Sequence, residues 1–231
     1  MGYLIFKGVS TGSLGNVYVA EMPSHRKAQM RVQEFYVDGR DGALHREEGL
    51  SNFDLDVTLI MLNEQPQTRQ AISAWATGTG KLIVSDDLTK CYRASVIQEV
   101  RFTRANYGGL MCDTARIVFN CQPFMYEAVE EVKTFTASGT LKNPGTYTSL
   151  PLIQVNGSGN CVFSVAGQQI TLTSVASGTP VYIDCETGYV FTQTGATTMQ
   201  GEFPELQTGN NTITLTSGVS SLVITPRWRW I

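Results

Sequence analysis

Charge is scarce in this sequence, and basic charge is nowhere clustered. Only 16% of the 231 residues are Asp, Glu, Lys or Arg, against about a quarter in an average soluble protein. Seventeen Lys and Arg against 20 Asp and Glu leave a formal net charge of −3. Counterion-release binding to nucleic acid needs Lys and Arg gathered on one face, so a nucleic-acid reader is disfavoured. No apolar run approaches the roughly 20 residues that span a bilayer. The opening MGYLIFKGVSTG lacks a basic segment followed by a sustained apolar stretch, and Phe6 stands where a myristoylation pattern needs Ser or Thr. The expectation is a soluble chain made in a cytoplasm, with no membrane partner. The sequons at Asn156 and Asn210 then read as chance matches in Asn- and Ser-rich loops. Disorder is excluded by the 10% aromatic content.

Histidine is rarer still, and cysteine lacks spacing. Cys91, Cys112, Cys121, Cys161 and Cys185 never stand closer than nine positions. An odd number without a CxxC pair argues against a disulfide framework and against a zinc site. Cys121 continues an alternating series with Ala115, Ile117 and Phe119, which predicts small buried residues in reduced protein. His25 and His45 are the available imidazoles, and nothing local positions either beside a cysteine nucleophile. No catalytic residue, metal ligand or cofactor is expected.

The charge that is present lies in the first part of the chain. Residues 1–138 hold 30 charged residues and residues 139–231 only seven, between short apolar runs rich in Thr, Ser, Gly and Asn. Residues 137–146 supply turn and linker residues. This predicts two domains, 1–138 and 139–231. In the first, residues 53–61 alternate Phe, Leu, Val, Leu and Met with Asp and Thr, as a half-buried strand does. A second long strand is expected from Tyr92 through Phe102 and a third over residues 115–121. One helix is expected from Gln67 to about Ala76, entered by Asn63 and Pro66 and stopped by Gly78, with Ala71, Ile72 and Trp75 inward. The second part reads as short strands at residues 152–155, 161–165, 170–174, 181–185, 189–192, 212–216 and 222–225, the spacing of a β-sandwich. The fold class is all-β with one flanking α-helix.

Several stretches imitate chemistry without satisfying it. Residues 75–81, WATGTGK, lack the first glycine of a phosphate loop and its Ser or Thr after Lys81, and they run from helix into strand. Helix end and hairpin entry is the better account. Residues 38–42, DGRDG, fail the calcium-loop pattern and read as a tight turn or hairpin. Asp86 and Asp87 would point to opposite faces of a strand. His45 to Glu48 reads as a solvated charged segment.

In order and spacing, residues 36–59 (YVDGRDGALHREEGLSNFDLDVTL), 72–94 (ISAWATGTGKLIVSDDLTKCYRA) and 118–127 (VFNCQPFMYE) resemble the distal tail proteins of long-tailed, non-contractile bacteriophages and their prophages. So do residues 151–160 (PLIQVNGSGN), 181–191 (VYIDCETGYVF), 201–215 (GEFPELQTGNNTITL) and 226–229 (PRWR). The resemblance covers nearly the whole chain and puts a boundary near residue 135. It implies a tail-tube-like β-sandwich ring domain with a flanking helix and a long hairpin, followed by a galectin-like β-sandwich. It further implies a homo-hexameric ring at the virion tail tip, joining the tail tube and tape-measure proteins to a tail-associated tip or fibre protein. Receptor-binding or side proteins would dock on the periphery, and the ejected genome would pass through a central channel without specific binding. The second domain has no room for the receptor-gripping arm of some relatives.

Gly39, Arg40, Asp41 and Gly42 match the family's turn and are expected to shape a ring-facing hairpin; the plainer account is that the glycines only permit positive φ and Arg40 is solvated. Trp228 and Trp230, alternating with Arg227 and Arg229, are expected on one face, docking on the first domain or a neighbour. A competing function is a carbohydrate-binding module attaching to the host wall, with Tyr147, Tyr182 or Tyr189 stacking on sugars. A wall hydrolase or a tail-tube subunit fits less well.

Overall fold

The computed structural model describes residues 2–24, 26–62, 66–107, 110–193, 195–196 and 198–231. Its contacts divide the chain into two compact units, one running to Ala128 with Ile231 added, the other Val129–Trp230. The break precedes the change in composition at Gly139. It does so because residues 133–143, partly read as linker, already carry strands of the second unit.

The first unit contains β1 (Leu4–Phe6), β2 (Val9–Ser10), a 3-10 turn (Thr11–Leu14), β3 (Val17–Val19), β4 (Met30–Tyr36) and β5 (Ala43–Leu50). It continues with β6 (Phe53–Met61), α1 (Pro66–Trp75), β7 (Gly78–Val84), β8 (Asp87–Val96), β9 (Arg101–Tyr107) and β10 (Leu110–Glu127). Eight strands form one antiparallel sheet in the order β2-β1-β7-β8-β10-β6-β3, with β9 also on β10. The sheet has to curl. Seven strands laid flat would separate β2 from β3 by about 29 Å, yet residues 11–16 join them. With four residues wound as 3-10 helix, that connection reaches under about 20 Å. Curling encloses a core in which Leu4, Phe6, Leu59, Leu82, Ile117 and Phe119 are fully buried. Cys121 completes the alternation on β10 as expected, buried and reduced.

Proline at its first position suits α1, where the amide would be unpaired anyway. The helix buries Ile72 and Trp75, while Ala71 is only half-buried. Trp75 meets Phe6 and Phe119 edge-on, at 5.9 and 6.0 Å between ring centroids, and its indole N–H donates to the Val9 carbonyl at 2.9 Å. Burial of these two side chains is worth roughly 2–3 kcal/mol each. Ala76 N–H still bonds Ile72 O, and Gly78 at φ +73° turns the chain into β7. The proposed helix entry at Asn63 lies outside the described residues. The long strand expected from Tyr92 to Phe102 is broken: β8 and β9 share one edge of β10, opposite residues 120–127 and 110–116, and residues 97–100 step between them.

The second unit contains β11 (Lys133–Phe135), β12 (Gly139–Asn143), β13 (Leu152–Val165), β14 (Gln168–Val175), β15 (Val181–Asp184) and β16 (Tyr189–Thr192). The short β17 (Gly195–Ala196) and β18 (Met199–Gln200) precede β19 (Gly209–Thr225). All pair antiparallel in one sheet, β11-β19-β13-β15-β16-β17, with β12 on β19, β14 on β13 and β18 on β14. Residues 152–155 and 161–165, expected as separate strands, are the two ends of β13. Residues 212–216 and 222–225 are likewise the ends of β19. The two long strands pair along most of their length, with register shifts between Asn156 and Phe163. There the backbones close in. A Cβ on Gly157 would sit 2.2 Å from Gly218 O, and one on Gly218 2.2 Å from Asn160 O. The buried ends of both strands enclose a second core containing Ile153, Phe163, Ile170, Leu206, Ile224 and Trp228.

Candidate assembly surface

The DGRDG turn joins β4 to β5, as the tight-turn reading expects. Gly39 and Gly42 have φ of +77° and +79°, the left-handed region that a Cβ disfavours, and the Arg40 amide donates to Val37 O at 3.1 Å. Gly39, Arg40, Asp41 and Gly42 are all exposed at the tip.

The hairpin behind this turn is unusual because neither of its faces is covered. Every residue of β4 is exposed, and β5 is exposed between its two ends. Val32, Phe35 and Leu44 are 43%, 42% and 42% exposed, and Tyr36 is 77% exposed. No residue from Met30 to Leu50 belongs to the first core. A two-stranded ribbon alone is marginal in water, and this one carries apolar side chains on two bare faces.

Trp228 and Trp230 belong elsewhere, and this corrects the sequence-based expectation. Trp228 is 2% exposed within the second core, and Trp230 packs half-buried against the same cluster. Arg227 and Arg229 turn instead toward the β15–β16 hairpin. Arg227 forks onto Asp184, Nη1 to Oδ1 at 2.6 Å and Nη2 to Oδ2 at 3.3 Å, and also reaches Glu186 Oε2 at 3.1 Å. Arg229 Nη2 lies 3.8 Å from Glu186 Oε1. Burial pushes the Asp184 carboxyl up, but the Arg227 hydrogen bond and charge, with backbone N–H donors, hold it below the ordinary carboxylate range. The Arg229 carbonyl accepts from the amides of Thr146 and Tyr147. The PRWR segment is thus a clasp within the second unit, made of partners some 40 to 80 residues away in sequence, and no local pattern signals it.

In the first unit two exposed arginines converge on one buried carboxylate. Asp113 on β10, 3% exposed, accepts from Arg69 of α1 and, at 3.1 Å, from Arg104 of β9. The Arg69 hydrogen bond, with those of Arg104, holds its carboxyl below the usual range against the cost of burial. These three residues were not singled out by sequence. An Asp inside an alternating run is the only local signal.

The cysteines are all buried and none is in a disulfide. Burial pushes the thiols of Cys121 and Cys185 up to about 12, which leaves them un-ionised at neutral pH. His45 sits on the exposed hairpin, 3.9 Å from Glu34; His25 lies outside the described residues. Among the described residues no group of three or more His, Cys, Asp or Glu converges to hold a metal. Lys81, at the end of the loop-like stretch, lies within β7. Asp87 begins β8, its Oδ1 accepting from the amide and hydroxyl of Thr89. Of the tyrosines proposed for sugar stacking, Tyr182 and Tyr189 lie against a common ring, Tyr189 being 50% and Tyr147 38% exposed. Tyr182 stacks on Phe191 and Phe191 on Tyr189, at centroid distances of 5.2 and 5.8 Å, so the middle ring offers no free face. Tyr147 lies apart, in an isolated bridge to Arg229. A groove of about 420 Å³ lined by Asn156, Ser158, Ser177, Thr179 and Ser220, among others, carries neither charge nor aromatic ring.

No family model matches this chain. No curated protein matches it either. Among solved structures it is similar to the Dit protein of phage SPP1, described as a paradigm of the hub adsorption apparatus in phages infecting Gram-positive bacteria. The identity is 17%, the TM-score 0.74, and 98% of each chain is covered. It also aligns with a chain of the phage p2 baseplate in its activated conformation, at 8% identity and a TM-score of 0.46. The chain therefore has the Dit fold along its whole length, all-β with one helix.

Proposed function

We propose that this chain is a structural hub protein of a phage tail tip, assembling as a homo-hexameric ring that connects the tail tube to the host-adsorption apparatus. The observation that carries the reading is the whole-length correspondence with the SPP1 Dit fold, both units included. The bare hairpin supports it, since a ring supplies neighbours on two sides of every subunit. So does the charge: at −3, without a basic stripe, a channel leaves passing DNA unbound. In this reading the tail tube, tape-measure and tip or fibre proteins flank the ring, side proteins dock peripherally, and no chemistry is performed. The two-domain division of labour, ring from the first part and periphery from the second, belongs to the same proposal.

The test is the solution mass of the purified full chain by light scattering, with negative-stain images of the same sample. Six chains of 25.3 kDa make a particle of about 152 kDa with a central hole. A monomer across the accessible concentration range overturns the ring. Glycan binding by such a monomer points instead to a carbohydrate-binding module.

A further inference from the structure

The two faces of the β4–β5 ribbon differ in charge. Residues paired across an antiparallel ladder share a face, so the register fixes the sides. Gln33 pairs Arg46 and Phe35 pairs Leu44, which makes one face basic and apolar. Val32 pairs Glu47, Glu34 pairs His45 and Tyr36 pairs Ala43, which makes the other face acidic and aromatic. Two contacts agree with this assignment: the Tyr36 hydroxyl donates to Glu34 Oε2 at 2.8 Å, and His45 lies 3.9 Å from Glu34. Nearer the base the register slips between Met30 and Val32, and Arg31 turns its guanidinium back onto the Glu48 carbonyl.

We infer that the two faces are made for each other: the basic-apolar face of one copy covers the acidic-aromatic face of the next, head to tail. This rests on the proposed ring. Arg46 of one copy then meets Glu34 and Glu47 of its neighbour, while Phe35 and Leu44 cover Tyr36 and Val32. A heterologous contact of this kind uses a different face on each partner, so every copy in a closed ring has both faces covered. A two-fold pairing would bring like faces together, two Arg46 side chains on one side or four carboxylates on the other, and like charges in contact repel. The opposed charges select rotation over two-fold symmetry.

A charge-reversal cycle on the full chain tests this, read as solution mass with the unfolding temperature as a control. Arg46→Glu makes both faces acidic, and Glu34→Arg with Glu47→Arg makes both basic. Either change is expected to abolish the ring, a roughly sixfold loss of mass, at an unfolding temperature close to that of the unaltered subunit. The chain carrying all three reversals restores opposite faces and is expected to recover the ring. Arg46 and the two glutamates lie on opposite sides of one ribbon, so that recovery cannot arise within a single copy. A ring that survives Arg46→Glu overturns the inference and leaves the ring standing, with another partner on the hairpin. Loss without recovery in the triple variant also overturns the pairing. An unaltered chain that is monomeric at every concentration overturns the ring and the pairing together.

Discussion

Arg227 and Asp184 meet as a two-pronged ion pair, the arginine holding φ at +53° to do so. A left-handed backbone costs a residue with a Cβ roughly 1–2 kcal/mol, and here the fork offsets it. The side chains are only 15% and 16% exposed, so neither charge is well solvated alone.

Replacing Arg227 with Ala removes the fork and keeps the backbone cost, leaving Asp184 with a backbone N–H donor and Glu186 with Arg229. The expected loss is about 2–4 kcal/mol in denaturant unfolding of the full chain, read from the transition of the second unit. Arg227→Gly also loses the fork but releases the backbone, so it is expected to be about 1 kcal/mol milder. Equal losses would show that the left-handed turn stores no strain.

Gly157→Ala and Gly218→Ala each drive a Cβ to within 2.2 Å of a backbone oxygen. Both are expected to cost more than about 3 kcal/mol, because the obstacle is main chain and has no rotamer to escape into. Gly159→Ala, at φ +71° with nothing within 4 Å, pays only for the backbone, about 1 kcal/mol. Thermal unfolding of the three variants separates close approach from turn geometry.

Asp113 is held below the usual carboxylate range by Arg69 and Arg104, so its folded pKa lies under its unfolded one. The stability this contributes is present above the unfolded value near 4 and drains away as pH falls through the folded one. Asp113→Asn is expected to cost about 1–2 kcal/mol at pH 7, because the amide loses the charge and one of the two oxygens that face Arg69 and Arg104. The gap from the unaltered protein is expected to narrow on acidification. A gap that stays constant from pH 7 to pH 3 contradicts the linkage.

The five thiols are expected to resist labelling in the folded chain. All are buried, and Cys121 and Cys185 are pushed to about 12. Incubation with an alkylating reagent at pH 8, followed by mass measurement, is expected to show no adduct before unfolding and five after it. Rapid modification of any one would place that cysteine outside the core.

What the sequence disclosed depended on whether the stabilising partner was local. The alternation at residues 53–61 is β6 with the same limits, because each strand residue reports its own side. Ile72 and Trp75 likewise lie one helical turn apart and share a buried face. The middle stretches of β13 and β19 read as turns because Asn-Gly-Ser-Gly-Asn and Ser-Gly-Val-Ser-Ser carry turn residues; only their mutual approach, more than fifty residues apart, shows why small residues are needed. Trp228 looked superficial between two arginines, since nothing nearby marks Asp184 and Glu186 as their partners. The DGRDG turn was legible, whereas the bareness of its ribbon depends on everything that fails to pack there.

In both units the last long strand to be synthesised pairs with three others. β10 pairs with β6, β8 and β9, and β19 with β11, β12 and β13. On the ribosome neither sheet is complete until its final strand has emerged. The first can be complete while the second is still being translated. A chain interrupted before residue 209 would thus carry a finished first unit and an unfinished second one, whose open strand edges invite pairing with other chains. The order of translation decides which half of the molecule is at risk of aggregation.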